Sequence, residues 1–536
     1  MKNIKYIFIL TIIGLFVSCT DILDEKMKVQ VSADYLYSTP DGLNRVVTAL
    51  YSEERTLSQK NNSELMAVQM LDYSTDLMTF RAGSATALAR LDNLTADFST
   101  VGNFWAHYYN IIGKANEVVS AAENMGVEDD IVNKAWAEAK VFRARSYFEL
   151  LKRFDRIYLN TFSTNYTNLD RVFTPAKQED VYTLINQDLT DAMAVLDWKV
   201  PSSSSGTSYG RFTKAVAKHI KAQVAMWQKN WDEAIAQCDD IISCPDYGLL
   251  DKRGSVFEGA DLNNKEVLWT YQYANDIGGG GVIVDGSFVG HRMSLITTPN
   301  YKKVNGLGSF LAEHGGYGWG RVYPNQYLLN LYDKQKDHRY SEYYKHEWYY
   351  LDPEILPAGK NLGDVATVDN SLYLECLHPM TRKYFDKWTN ADLPSRNNSF
   401  KDIIIYRLAE TYLMAAEAYY HRDGSSSSKA IEYYNQTWER AGNDKFTGIL
   451  TLNLLLDEYA RELCFEGHRW ALLKRLGILE ERVKKYEGDT TAEDPKLTAD
   501  VALARKNFKY YHWYWPIPQS EVDQMGKENF PQNEGY

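Results

Sequence analysis

Apolar side chains recur along most of the chain at the 3.6-residue period of an amphipathic helix. Val216, Ile220, Val224 and Trp227 form one stripe. After a break at Lys229-Asn230, a second runs through Trp231, Ala234, Ile235, Cys238, Ile241 and Ile242. Helices joined by so short a link pack as an antiparallel hairpin. Leu408, Tyr412, Ala415 and Tyr419, then Ala430, Ile431 and Tyr434, spell a similar pair. Ala222 and Ala234 in the first pair have the same spacing as Ala418 and Ala430 in the second. Small residues at matched positions let helices approach closely, the logic of tetratricopeptide-like repeats. The period predicts further helices at 106–123, 133–154, 178–197 and 452–475. In the second of these, Val141, Tyr147, Leu150, Leu151 and Phe154 form the expected inner face. Ser202–Gly206 and Ser425–Ser428 read as linker-like breaks.

The period fades between residues 246 and 400. Twelve of the 33 glycines lie between 278 and 320, and 17 of the 85 residues from Glu266 to Tyr350 are aromatic. Val267–Tyr273 and Val282–Val284 read as short strands. The expected fold is therefore mostly α, with tetratricopeptide-like helical hairpins and a loop-rich, aromatic insertion containing short strands. The division expected is a helical part at 40–245, a ligand-binding insertion at 246–400, and a second helical part with a tail at 401–536.

The N-terminus changes the picture of where such a body would reside. Lys2 and Lys5 precede an apolar run from Tyr6 to Val17, followed by Ser18 and Cys19. A run of about 13 residues is too short to span a bilayer and reads as an export signal. A Cys directly behind a small residue at the end of such a run is where a bacterial lipoprotein signal is cut and acylated. Residues 1–18 are thus expected to be a signal peptide, Cys19 the lipidation site and 19–39 a tether.

Composition removes several function classes. Net charge is −12 and the isoelectric point about 5.5, against the basic face that nucleic acid requires. Five Cys and no paired CxxC exclude a disulfide scaffold and a zinc ribbon. Cys238 and Cys244 are compatible with a disulfide or with two buried thiols. His346-Glu347 is followed by Tyr350 where a zinc HExxH motif needs its second His, and Gly278–Gly281 lacks the Gly-Lys-Ser/Thr of a phosphate loop. No EF-hand spacing is present, and no metal, cofactor or catalytic residue is assigned. Arg461, Glu462, Glu466, His468 and Arg469 alternate in sign at helical spacing and read as ion pairs clamping a helix to its neighbours.

The sequence also resembles the SusD/RagB family of surface nutrient-capture lipoproteins over nearly all of its mature length. The strings that carry the resemblance are Cys19-Thr20-Asp21, EAKVFRARSYFELLKRF at 138–154, RFTKAVAKHIKAQVAMW at 211–227, YRLAETYLMAAEAYY at 406–420, DEYARELCFEGHRWALLKRLG at 457–477, and the ending Trp515-Pro516-Ile517-Pro518 through Gly535-Tyr536. Gly526-Lys527 and Glu534 depart from the usual tail, which bears only on local turns. The resemblance implies a helical fold with four tetratricopeptide-like units and a ligand face. It also implies a lipid anchor in the outer membrane, facing the cell surface, and a SusC-like TonB-dependent transporter as partner. The implied ligand is an oligosaccharide or polysaccharide; a peptide ligand and, from another class, a helical glycosidase remain alternatives.

Sugar rings present apolar C–H faces, which suit aromatic platforms flanked by amide, carboxylate and guanidinium groups. Tyr317-Gly318-Trp319-Gly320-Arg321 fits this need, with Trp348-Tyr349-Tyr350 and Tyr273-Ala274-Asn275 as further candidates. Asp72, Tyr73 and Asp76 are expected to line the same face, whereas Trp105 and Tyr108 read as core.

Overall fold

Local capping sets where the helices begin. The Thr39 side chain accepts the Gly42 amide ahead of α1 (Pro40–Thr56), and Pro40 fits the first turn because its missing donor is not needed there. Ser99–Met125 forms α2, ended by Gly126 at φ 59°. Asp129 accepts the Ile131 and Val132 amides at the start of α3 (Asp130–Arg153). After α4 (Gln178–Val195) come α5 (Lys214–Trp227), capped by Thr213, and α6 (Trp231–Ile242), capped by Asn230. Ser427 separates α7 (Leu408–Asp423) from α8 (Ser428–Trp438), and Thr451 opens α9 (Leu452–Leu463), followed by α10 (Arg469–Arg475). Each such cap is worth about 1 kcal/mol. These elements belong to a computed structural model that describes residues 33–57, 70–71, 73–81, 86–163, 173–200, 210–276, 279, 290–308, 311–389, 391, 397–487 and 504–536.

Helices α2 to α5 pack each against the next, and α1 lies across α2 and α3. The two predicted hairpins, α5–α6 and α7–α8, meet through α6 and α7. Ala222, Ala234, Ala418 and Ala430 are all buried in the cluster between them, as their matched spacing requires. Trp105 and Tyr108 lie in the principal core, as expected.

The expected helix at 452–475 is broken. Phe465 (φ 63°) and Gly467 (φ 80°) are left-handed and turn the chain between α9 and α10. The Phe465 carbonyl there accepts the Tyr384 hydroxyl at 2.6 Å. Leu463, Phe465 and Leu472 all remain buried across the turn, so apolar periodicity carries no mark of the break.

The strands pair antiparallel in twos: β1 (Met78–Phe80) with β3 (Val322–Pro324), β2 (Val267–Tyr271) with β6 (Ile403–Arg407), and β4 (Tyr344–Lys345) with β5 (Met380–Thr381). The expected strand at 267–273 is thus present from Val267 to Tyr271, while Val282–Val284 lies outside the described residues. Its partner β6 runs straight into α7. The insertion does not stand apart: Val267, Leu268, Trp269, Tyr271, Tyr273 and Val322 join the principal core, and Tyr301, Trp348, Tyr350, Cys376 and Met380 belong to a satellite cluster.

The alternating charges of α9 and α10 form ion pairs, but buried ones. Arg339 binds Asp337, Glu458 and Glu462 at 2.7–2.9 Å. Arg407 reaches Glu266, Glu462 and Glu466, and Arg440 also reaches Glu462. Burial opposes ionisation of Glu462, yet the three guanidiniums outweigh it and hold its carboxyl well below the usual range. Removing one member of such a network costs about 3–5 kcal/mol because it strands a buried charge. Cys238, Cys244, Cys376 and Cys464 are free and buried, so the first two are thiols. No helix among the described residues is long and apolar enough to cross a membrane.

Candidate functional site

The five residues from Tyr317 to Arg321 are sewn into the fold along both edges. On one side the Trp319 amide donates to Leu295 O (2.9 Å), Gly320 N to Thr298 O (2.8 Å) and Arg321 N to Ile296 O (3.2 Å). On the other, Arg81 donates its amide to Arg321 O and its Nε to Gly320 O, both at 2.9 Å. Arg81 follows β1, and Val322 opposite Phe80 begins the β3–β1 pairing. A backbone anchored in this way holds its side chains in place at little further entropic cost.

The glycines are needed for this close approach. A Cβ on Gly318 would lie 2.1 Å from Pro299 O, and one on Gly320, at φ 57°, would lie 2.1 Å from Glu375 O. Their role is therefore to admit neighbouring backbone rather than to thin the chain around a ligand. Between them Trp319 remains partly exposed, as do Tyr317 and Arg321. The Arg321 guanidinium lies 4.0 Å from the Trp319 ring centroid and that of Arg292 lies 5.9 Å from it. Cation–π contact at these distances fixes the ring's orientation.

Glu375 completes the surroundings. Its carboxylate accepts Lys303 Nζ at 2.7 Å and lies 3.7 Å from Arg81. Burial would raise the Glu375 carboxyl, but Lys303 and Arg81 outweigh it and lower the net value. Nothing in the sequence marks Arg81, Arg292 and Glu375, because they are far from Trp319 along the chain and none stands in an aromatic or glycine-rich string.

Other candidates occupy different environments. Trp348 is 1% exposed inside the satellite cluster and offers no face to a ligand. Tyr273 is 8% exposed and packs edge-on against His291. Its amide donates to Asp402, whose carboxyl burial pushes up to about 7. Asn275 is exposed at the start of the loop beyond β2. Asp76 is fully buried and accepts both Arg469 and Arg482, at 2.8 and 2.7 Å, so it ties β1's approach to α10 instead of lining a ligand face. Tyr73 is likewise buried, against Phe80. Asp72 and Cys19 lie outside the described residues.

The site that emerges is a partly exposed Trp319 ring with the Arg321 guanidinium over one face, where the exposed ring carbons can meet apolar C–H groups and neighbouring guanidiniums can donate to hydroxyl or carboxylate oxygens. Among the described residues no group of His, Cys, Asp and Glu could hold a metal ion.

Comparison with known proteins places the chain in a family. A relative described as a SusD-like protein from Formosa agariphila is 24% identical, covering 97% of each chain. A solved structure titled laminarin-binding SusD-like protein superposes with a TM-score of 0.71 at 20% identity, covering 92% of this chain and 99% of the other. Surface glycan-binding protein A from Bacteroides thetaiotaomicron, solved in complex with laminarihexaose, gives 0.69 at 19% identity, over 91% of this chain and 98% of the other. A family model described as starch-binding, associating with the outer membrane, matches residues 21–225, and the SusD family model matches 265–536. With half the chain matched by that one model and the fold shared across nearly its whole length, this protein belongs to the SusD family.

Proposed function

We propose that the protein is a cell-surface lipoprotein, anchored through Cys19 in the outer membrane. In this reading it captures an oligosaccharide or polysaccharide and delivers it to a SusC-like TonB-dependent transporter. The observation that carries the reading is the partly exposed Trp319 ring, held by a doubly anchored backbone and accompanied by the guanidiniums of Arg321 and Arg292. Family membership supports it, as do two structural relatives whose titles name laminarin and laminarihexaose.

The protein is proposed to bind without cleaving. A glycosidase needs a carboxylic acid poised to protonate the leaving oxygen. The carboxylate beside the platform, Glu375, is instead bound by Lys303 and lowered by it and Arg81, which favours a permanently ionised group.

Native affinity electrophoresis of the mature protein lacking Cys19, in gels containing laminarin, starch or other polysaccharides, tests this. Retardation by one polysaccharide with its chain length unchanged is expected. Release of reducing ends would establish a hydrolase instead, and absence of retardation by every polysaccharide would favour the peptide-capturing alternative.

A further inference from the structure

Six of the twelve large hydrophobic side chains exposed among the described residues lie within 349–372: Tyr349, Leu351, Ile355, Leu362, Val365 and Leu372. Single exposed apolar side chains are ordinary, but a cluster marks a surface that another molecule covers. The backbone explains the cluster. Tyr349 and Val365 face each other across an antiparallel bridge. Tyr350 N donates to Asp364 O (3.1 Å) and Ala366 N to Trp348 O (2.7 Å). Alternation along extended chain sends Trp348, Tyr350 and Ala366 into the satellite cluster and leaves Tyr349, Leu351 and Val365 outside. The far end of this flap is seated on residues 306–308, where a Cβ on Gly306 or Gly308 would come within 2.3 Å of Pro357 or 2.2 Å of Ile355.

The rim is acidic. Glu347, Asp352, Glu354, Asp364 and Asp369 interleave with the apolar positions along the segment, with Lys360 the one basic residue between 347 and 372. Asp352 and Asp364 accept backbone amides of the flap, and Glu347 accepts the Tyr349 hydroxyl. Among the described residues none of the five carboxylates forms an ion pair with a lysine or arginine. Beyond the rim the chain enters the short helix Asn370–Cys376, which carries Glu375 and so abuts the Trp319 platform.

We propose that this flap is the docking surface for a protein partner presenting apolar side chains ringed by lysines and arginines. A second copy of the chain would bring one acidic rim against another, and an anionic lipid surface would meet the same repulsion, so charge complementarity selects a basic-rimmed protein. A partner seated here lies beside the captured ligand. The proposal rests on the function given above only in taking the SusC-like transporter as the first partner to try.

The test is co-purification of the full-length protein with that transporter after co-expression. Leu351→Ser/Leu362→Ser/Val365→Ser and Glu354→Lys/Asp369→Lys are each expected to reduce recovery of the complex at least tenfold, while polysaccharide retardation and melting temperature stay those of the wild type. Recovery of both variants with the transporter at the wild-type level would overturn the proposal while leaving glycan capture standing. Wild-type protein that fails to co-purify would overturn the transporter as partner and the docking surface with it. Wild-type dimers in light scattering that the serine variant abolishes would assign the flap to self-association, and flotation with phosphatidylglycerol vesicles lost in that variant would assign it to lipid; either result overturns the basic-rimmed protein partner.

Discussion

Trp319 owes its position to what lies behind it. Gly318 and Gly320 admit Pro299 O and Glu375 O to distances that no Cβ tolerates, and Gly320 is left-handed besides. Gly320→Ala combines a backbone clash with left-handed strain, which alone costs about 1–2 kcal/mol. The expected outcome is a lower melting temperature together with weakened glycan affinity, because the turn that presents the ring must shift. Thermal denaturation and titration of the same variant check both; an unchanged melting curve would contradict the packing described. The motif was legible as an aromatic string, but the reason for its glycines was not, since Thr298, Pro299 and Glu375 meet it only through tertiary folding. Trp348 shows the converse: it has the same sequence credentials as Trp319, yet the Tyr349–Val365 bridge turns it inward.

At the scale of elements, matched alanines record how the two helical hairpins pack. Ala418 is fully buried where α7 faces α6. Ala418→Leu adds three carbons to a packed seam, and such overpacking costs about 1–3 kcal/mol. A lower urea midpoint with an unchanged slope is expected; a midpoint equal to that of the wild type would show that the seam has room. These hairpins were readable because helical periodicity reports on neighbours a few residues away. The break at Phe465 and Gly467 was not, since both sides of the turn bury their apolar residues and the period runs on unbroken. The β2–β6 pair was half legible: Val267–Tyr271 carries a run of β-formers, whereas Ile403–Arg407 merges into the apolar pattern of α7. The ion pairs were foreseen as alternating charge, but their burial depends on Glu266, Arg339 and Arg407 converging from distant segments.

Across the whole molecule, buried titratable groups set the response to acid. Burial lowers His291, His314, His378 and His512 to about 4, against about 6.5 in an unfolded chain. Between these values the unfolded chain binds protons that the native protein does not, so stability falls as pH drops from about 6.5 towards 4, by up to about 1.4 kcal/mol per pH unit for each histidine. Glu149 and Glu417 add a second phase. Burial would raise them, but Lys152 and Arg153 beside Glu149, and Arg475 and His421 beside Glu417, hold them at about 2. Their stabilising contribution is present above about pH 4.5 and is lost as pH falls towards 2. Asp402, raised by burial to about 7, works the other way, because the native protein keeps a proton there that the unfolded chain has lost, and it offsets about one of the four histidines. Urea midpoints measured from pH 7.5 to 3 should therefore still decline below pH 6.5. A plateau extending down to pH 4.5 would show that the histidines titrate normally.

Glycan capture as proposed depends on a ligand stacking on Trp319. Calorimetric titration of wild type and Trp319→Ala with the polysaccharide that retards the protein addresses it most directly. At least tenfold weaker binding is expected for the variant, about 1.4 kcal/mol, with the protein still folded and any loss of melting temperature small beside that of Gly320→Ala, because the ring is partly exposed. Equal affinities in the two proteins would contradict it and move the binding face elsewhere.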